Sequence, residues 1–142
     1  MIRIATKEDV NNIALLASNM WGNKEMLATE FENIIKNNNS VVYLFEVNCN
    51  PVAFAQCSLR FDYVEGTSTS PVGYLEGVYV LKEYRKQGIA KQLVKLCEQW
   101  ASKKGCVQFA SDCEITNSQS YNFHIAVGFE EANKIICFKK EI

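Results

Sequence analysis

The 142 residues are 48% hydrophobic and 22% charged, and 15 Lys+Arg against 16 Asp+Glu leave a formal net charge of -1. A chain of this size buries roughly 70% of its unfolded surface, which suits a single domain over residues 1–142 and excludes intrinsic disorder. Its longest apolar runs are five residues, such as VVYLF at 41–45, against the roughly 20 needed to span a bilayer, and near-neutral charge without a basic run argues against a nucleic-acid groove.

MIRIA at the N-terminus reads as a short strand. Lys7, Glu8 and Asp9 interrupt the apolar stretch that a secretion signal requires, which points to the cytoplasm. Thr6 followed by Asp9 resembles a helix N-cap with a variant capping box, and Val10, Ile13, Ala14, Leu16 and Ala17 recur at helical spacing to about Met20. A second helix is predicted from about Lys24 to Lys36, with Met26, Leu27, Phe31, Ile34 and Ile35 on its apolar side. Asn37 to Ser40 form a loop before the strand VVYLFEV, and Asn48 to Pro51 turn the chain into an antiparallel strand VAFAQCSLRF. A Gly/Ser/Thr/Pro-rich loop, Gly66 to Pro71, leads to a third long strand, VGYLEGVYVL, at 72–81. The clearest helix follows KEYRKQG, with Ile89, Leu93, Leu96, Cys97 and Trp100 on one stripe and Gly105 as its stop. A strand CVQFASD, a short helix from near Asn117 to Gly128, and a terminal hairpin FEEANKIICFKKEI complete the chain. The six cysteines (49, 57, 97, 106, 113, 137) form no CxxC pair and only one His accompanies them, so reduced thiols and no metal site are expected.

The chemistry concentrates around the third long strand. RKQGIA between that strand and a helix puts the amides near Gln87, Gly88, Ile89 and Ala90 at a helix N-terminus, where unpaired N–H groups and the macrodipole favour a phosphate. A plain turn with an exposed Arg85/Lys86 pair accounts for these six residues equally well. Gly77, inside a β-rich strand, often signals a bulge or the close approach of another group; a bulge at Glu76/Gly77 would splay this strand from CVQFASD and open a cleft beside the turn. Glu76 lies among apolar residues, where a charge is costly unless it lines a cleft or is paired. Asp112 ends its strand beside the same opening or caps the next turn.

YLEGVYVL, the turn RKQGIA with its following helix, and the late Asn117…Gly128-Phe129 arrangement resemble the GNAT superfamily of acetyl-CoA-dependent N-acetyltransferases. Longer strings, DYVEG with SPVGYLEGVYVL, GCVQFASD, and HIAVGFEE, resemble the aminoglycoside 6'-N-acetyltransferases of bacterial antibiotic resistance. The resemblance implies an α/β (α+β) fold, a mixed twisted sheet of six to seven strands split by a V-shaped cleft and flanked by about four helices. It implies acetyl-CoA as co-substrate, held by backbone groups of Val78, Tyr79 and Val80 along the pantetheine arm, with the Val78 amide directed at the thioester oxygen. The turn residues Lys86, Gln87, Gly88, Ile89, Ala90 and Lys91 would take the diphosphate, and Asn117 would contact CoA or simply cap its helix.

By the same resemblance a polycationic aminoglycoside is the amine acceptor, drawn to a locally negative cleft to which Asp62, Glu65 and Glu114 add. Trp21 and Tyr63 match aromatic positions that line the aminoglycoside site, although core packing accounts for Trp21 as well. Because an alkylammonium must lose a proton before it attacks, Glu76 is expected to accept it, directly or through water, while Asp112 orients the amine; the reverse assignment stays open. His124 stands where many GNAT enzymes carry a Tyr, four residues before the Gly of GF, which leaves the general acid open: His124 fits a helix-surface or CoA-contacting residue as well as a catalyst. Asn133 replaces a further acidic residue of the relatives at the substrate site. Homodimers, in which subunits enclose each other's sites, are implied too. Competing readings are a GNAT enzyme for another amine, such as a polyamine or a peptide N-terminus, and a non-catalytic module that binds acyl-CoA or an aminoglycoside.

Overall fold

Strict alternation along VVYLFEV and VAFAQC sends neighbouring residues to opposite faces of a sheet, and each face finds its own helices. The computed structural model describes residues 1–142. Its five strands, β1 (Ile2–Ile4), β2 (Ser40–Val47), β3 (Asn50–Arg60), β4 (Val72–Val80) and β5 (Phe109–Ser111), lie in sequence order across one sheet. The first four pair antiparallel and β5 joins β4 in parallel, the pairing that a helical crossover imposes. Helices α1 (Val10–Trp21) and α2 (Lys24–Lys36) cover one face, where Ile13, Leu16, Leu27 and Phe31 pack on Val42, Leu44 and Phe54. Helix α3 (Ile89–Lys103) covers the other and sets Ile89, Leu93, Val94 and Cys97 against Val41, Ala53, Ala55 and Leu75. Phe31 and Phe54 meet edge to face at 5.8 Å, an arrangement worth ~1 kcal/mol beyond burial. Helix α4 (Ser118–Ala126) follows β5.

The expected fold class holds, with a smaller sheet than the six to seven strands expected. Only Phe109 to Ser111 of CVQFASD pair as a strand, because Cys106 donates its amide back to Ala101 O of the helix it leaves. The terminal hairpin does not form. Residues 129–142 carry no strand, and Ile135, Ile136 and Phe138 are 62%, 81% and 91% exposed. A two-stranded hairpin needs a further surface to pack on, and nothing in this chain covers these side chains.

One ion cluster ties the sheet's far edge to α1. Arg3 on β1 grips both carboxylate oxygens of Asp9 at 2.7 and 2.8 Å, and its Nε and Nη2 reach Glu46 Oε1 on β2 at 3.0 and 2.6 Å. Asp9 also accepts the Thr6 amide at 2.8 Å, the predicted reciprocal cap. The Arg3 hydrogen bonds, opposed by burial, hold the Asp9 carboxyl at about 2 instead of 3.8. A depressed carboxyl stabilises the folded state fully above the unfolded value and loses that contribution as pH falls toward the folded one. With Arg3 half-exposed, this amounts to on the order of 1–2 kcal/mol. Asp9→Asn is therefore expected to lower unfolding free energy by that amount at pH 7 in urea titrations, the difference from the parent shrinking between pH 4 and pH 2. An unchanged difference across that window would contradict the ion-pair account.

Candidate functional site

The ladder between β3 and β4 slips by one residue at the middle of β4. Gln56 pairs with Gly77 and Cys57 with Leu75, so Glu76 is the extra residue of a bulge. On the other side, β4 pairs with β5 only at Gly73, Tyr74 and Leu75, opposite Phe109, Ala110 and Ser111. Beyond Leu75 the two strands part, and β4 from Glu76 to Val80 has no strand along that edge. This is the cleft that the strand glycine implies in the sequence. The bulge also turns Glu76 and Gly77 toward the α1/α2 face. A Cβ on Gly77 would lie 2.5 Å from Trp21 Cη2 and 3.3 Å from Met20 Cε, so glycine is required for the indole to lie flat against β4. Trp21 closes that end of the site, edge-on to Phe54 at 6.2 Å and 45% exposed.

At the open end of β4, the chain passes through a short 3-10 turn, Lys82–Tyr84, and enters α3 through Lys86 and Gly88, both at positive φ (61° and 78°). No side chain caps α3, and the amides of residues 86 to 91 donate to nothing within the chain. Six backbone donors around a helix N-terminus make an anion cradle. Nothing lies within 4 Å of a Cβ on Gly88, so its backbone is open to a ligand. Arg85 and Lys86 are both exposed, as a plain turn would also have them, and Arg85 Nε donates to Val80 O at 2.9 Å, tying the turn to the end of β4.

The two acids lie at the cleft as parts of one network. Glu76 Oε2 accepts Arg60 Nη2 at 2.8 Å, and Oε1 accepts both Arg60 Nε at 3.1 Å and the Ser58 hydroxyl. The same guanidinium lies 3.4 Å over the Tyr74 ring, and the Tyr74 hydroxyl donates to Asp112 Oδ2. Hydrogen bonding to Glu76 raises the Arg60 pKa, while burial, then the bond to Asp112, pushes the Tyr74 phenol up. Glu76 is thus oriented by a cation and a hydroxyl; Asp112 keeps its second oxygen open to solvent.

His124 of α4 turns inward, its Nε2 2.8 Å from Ser111 Oγ and its Nδ1 2.7 Å from Ser120 O. Asn117 caps α4 by accepting the Ser120 amide at 3.0 Å and leaves its own NH2 unpaired, so a cap and an external contact are compatible. Tyr63 is 77% exposed in the β3–β4 connection. Asn133 donates to Glu65 at 2.8 Å, which brings the C-terminal segment against that connection. Of the further acids, Asp62 and Glu114 are exposed.

Nothing in the sequence singles out Ser58, Arg60, Tyr74 or Ser111. Arg60 and Tyr74 become partners only through the β3–β4 register, and Ser111 only through the place where the β4–β5 ladder stops.

The profile of the Acetyltransferase (GNAT) family matches residues 7–129. Over 142 residues the chain is 34% identical to the aminoglycoside N(6')-acetyltransferase type 1 of Acinetobacter haemolyticus, covering 99% of this chain and 98% of that protein. The Serratia marcescens protein of the same name is 32% identical with coverage of 100% and 99%. A counterpart from Acinetobacter genomosp. 13 is 48% identical over 91 residues, a match spanning 62% of that relative's length. Among solved structures, the apo aminoglycoside 6'-N-acetyltransferase AAC(6')-IG of A. haemolyticus superposes with a TM-score of 0.96 at 33% identity, covering 100% and 99% of the two chains. AAC(6')-Iy in complex with a bisubstrate analogue, CoA-S-monomethyl-acetylneamine, gives 0.94 at 32% identity, covering 100% and 98%.

Proposed function

The chain belongs to the acetyltransferase (GNAT) family, and from that premise we propose that it transfers an acetyl group from acetyl-CoA to the 6'-amino group of aminoglycoside antibiotics. The observation that carries the reading is the β4–β5 ladder ending at Leu75 beside the Glu76 bulge, with the amide cradle of residues 86 to 91 at the far end of the same opened edge. Backbone groups of Val78, Tyr79 and Val80 would add the pantetheine arm as a strand, and the uncapped turn would hold the diphosphate. Acetyl-CoA, when bound, supplies the activated acetyl group.

The α1/α2 face of the cleft suits an amino sugar. Trp21 and Tyr63 offer aromatic walls, Asp112 an open carboxylate oxygen for the ammonium, and Glu76 a carboxylate held in place by Arg60 and Ser58. Asp112 orients the amine, and Glu76 takes its proton directly or through a water, Arg60 fixing the carboxylate's direction. The Val78 amide would stabilise the charge that develops on the thioester oxygen as the amine nitrogen bonds the acetyl carbon; collapse would break the C–S bond and release CoA as a thiolate, which can leave as such or take a proton from solvent.

A homodimer accompanies this reading. The exposed Ile135, Ile136 and Phe138 and the short edge strand β5 call for a cover that a second copy of the chain supplies, which sedimentation velocity checks: a monomer at micromolar concentration would remove it. We place the enzyme in the cytoplasm, in keeping with six free thiols and no helix long and apolar enough to cross a membrane.

The test is CoA release with acetyl-CoA and a panel of amines: kanamycin and tobramycin, aminoglycosides lacking a 6'-amino group, and spermidine. Turnover confined to the 6'-amino drugs is expected; equal or better kcat/KM on spermidine would overturn the substrate, and no turnover with retained binding would make the chain a binding module. Glu76→Gln should lower kcat by roughly 10²- to 10⁴-fold with the drug's dissociation constant changed far less, and an unaltered kcat would reject Glu76 as the proton acceptor.

A further inference from the structure

Three hydrogen bonds converge at the point where the sheet opens, and they have too few protons when His124 is neutral. Nδ1 lies 2.7 Å from Ser120 O and 3.4 Å from the Ser120 hydroxyl; the shorter contact, to an oxygen that can only accept, assigns a hydrogen to Nδ1. Nε2 lies 2.8 Å from Ser111 Oγ, and that oxygen lies 3.1 Å from Leu75 O. Ser111 has one hydroxyl proton. If the ring is neutral, Nε2 is an acceptor and takes that proton, leaving the Leu75 carbonyl without it. If the ring is an imidazolium, Nε2 donates to Oγ and the hydroxyl donates to Leu75 O, so all three bonds form together. Leu75 and Ser111 are the last paired residues before β4 and β5 diverge.

We propose that Ser111 is a positioning residue that latches the apex of the cleft, adding its hydroxyl bond on Leu75 O to the strand pairing when His124 is charged and withdrawing that bond when His124 is neutral. The latched apex holds the strands at the separation the pantetheine arm must fit, and a preorganised site binds more tightly than one the ligand must order. The latch rests on the acetyl-CoA reading above but adds to it a residue and a proton-dependent state that the reading does not require. The other charged or titratable groups on the surrounding elements are occupied or exposed, apart from the half-buried thiol of Cys113. The Tyr74 hydroxyl is bound to Asp112, Glu76 to Arg60, and Tyr121 to Glu131, Glu114 is exposed, and Cys113 follows Asp112 beyond β5. Phe123 and Phe129 pack on the ring, 5.7 and 5.2 Å from its centre.

The experiment measures the dissociation constant of acetyl-CoA, without any amine, between pH 5.5 and 8.5 for the parent, Ser111→Ala, Ser111→Thr and His124→Phe. Leaving out the amine separates the latch from the proton lost by the nucleophile. The phosphates of acetyl-CoA titrate alike against every variant, so only differences between curves are read. The parent's affinity is expected to fall by roughly three- to tenfold more than that of Ser111→Ala as His124 loses its proton. Ser111→Thr, which keeps the hydroxyl, should follow the parent, whereas His124→Phe, which leaves the hydroxyl free to donate to Leu75 O at every pH, should share the pH dependence of Ser111→Ala but keep the tighter binding of the charged parent. The chain holds a single His, so one imidazole 15N resonance pair reports the tautomer, expected to keep its hydrogen on Nδ1 when neutral. Parallel curves for the parent and Ser111→Ala, or a neutral ring protonated at Nε2, would overturn the latch alone. Absence of acetyl-CoA binding by the parent at every pH would overturn the acetyl-transfer reading and the latch with it.

Discussion

The site depends on one interruption in hydrogen bonding: β4 keeps its partner on one side by slipping a residue at Glu76 and loses its partner on the other after Leu75. A bulge adds twist and bends the strand that carries it, and here the bend falls where β5 ends. An opened edge inside a sheet leaves backbone donors and acceptors that must be satisfied by something. Water does so in the free protein, and an extended ligand with amide groups of its own does so more specifically. The crossover helix α3 then brings its uncapped N-terminus to the end of the same edge. An unpaired strand edge and a set of free amides at a helix N-terminus are thereby built from one stretch of backbone, residues 76 to 91, with little demand on side-chain identity.

Side chains enter where selectivity is required. The bulge rotates Gly77 toward Trp21 and puts Glu76 within reach of Ser58 and Arg60, so one irregularity lies at the start of the opened edge and orients the carboxylate beside it. Arg60 stacks on Tyr74, whose hydroxyl holds Asp112; the two acids are thus spaced by a packed aromatic ring instead of facing each other unscreened. A chain with a net charge of -1 can in this way present a locally acidic face to a polycation without the self-repulsion that a strongly acidic protein would carry.

Much of this was readable from the residues. Gly77 within a β-branched strand and RKQGIA before an amphipathic helix are local signals, and local signals survive without knowledge of tertiary contacts. The helices follow for the same reason, since Ile89, Leu93, Leu96 and Trp100 recur at i, i+4, i+7 and i+11, which share a face on a helix and not on a strand. Arg60, Tyr74 and Ser111 were not legible, because their roles arise from strand register and from where a ladder stops, neither of which has a composition signature. His124 is legible as a position but not in its inward orientation, which Ser111 and the Ser120 carbonyl decide. The C-terminal segment shows the converse error. The continuous apolar run Ile135 to Phe138 in KIICFKK suits a strand whether it pairs within a chain or against another, so composition predicts a hairpin that the single chain does not form.

The central claim is that the β4 edge past Leu75 and the turn into α3 together form the acetyl-CoA site. Amide hydrogen exchange with and without acetyl-CoA tests it most directly. Exchange at residues 77 to 80 and 86 to 91 should slow by roughly tenfold or more on binding, with the α1–α2 face little changed until an aminoglycoside is added. Protection absent from both stretches, while acetyl-CoA is demonstrably bound, would contradict the account.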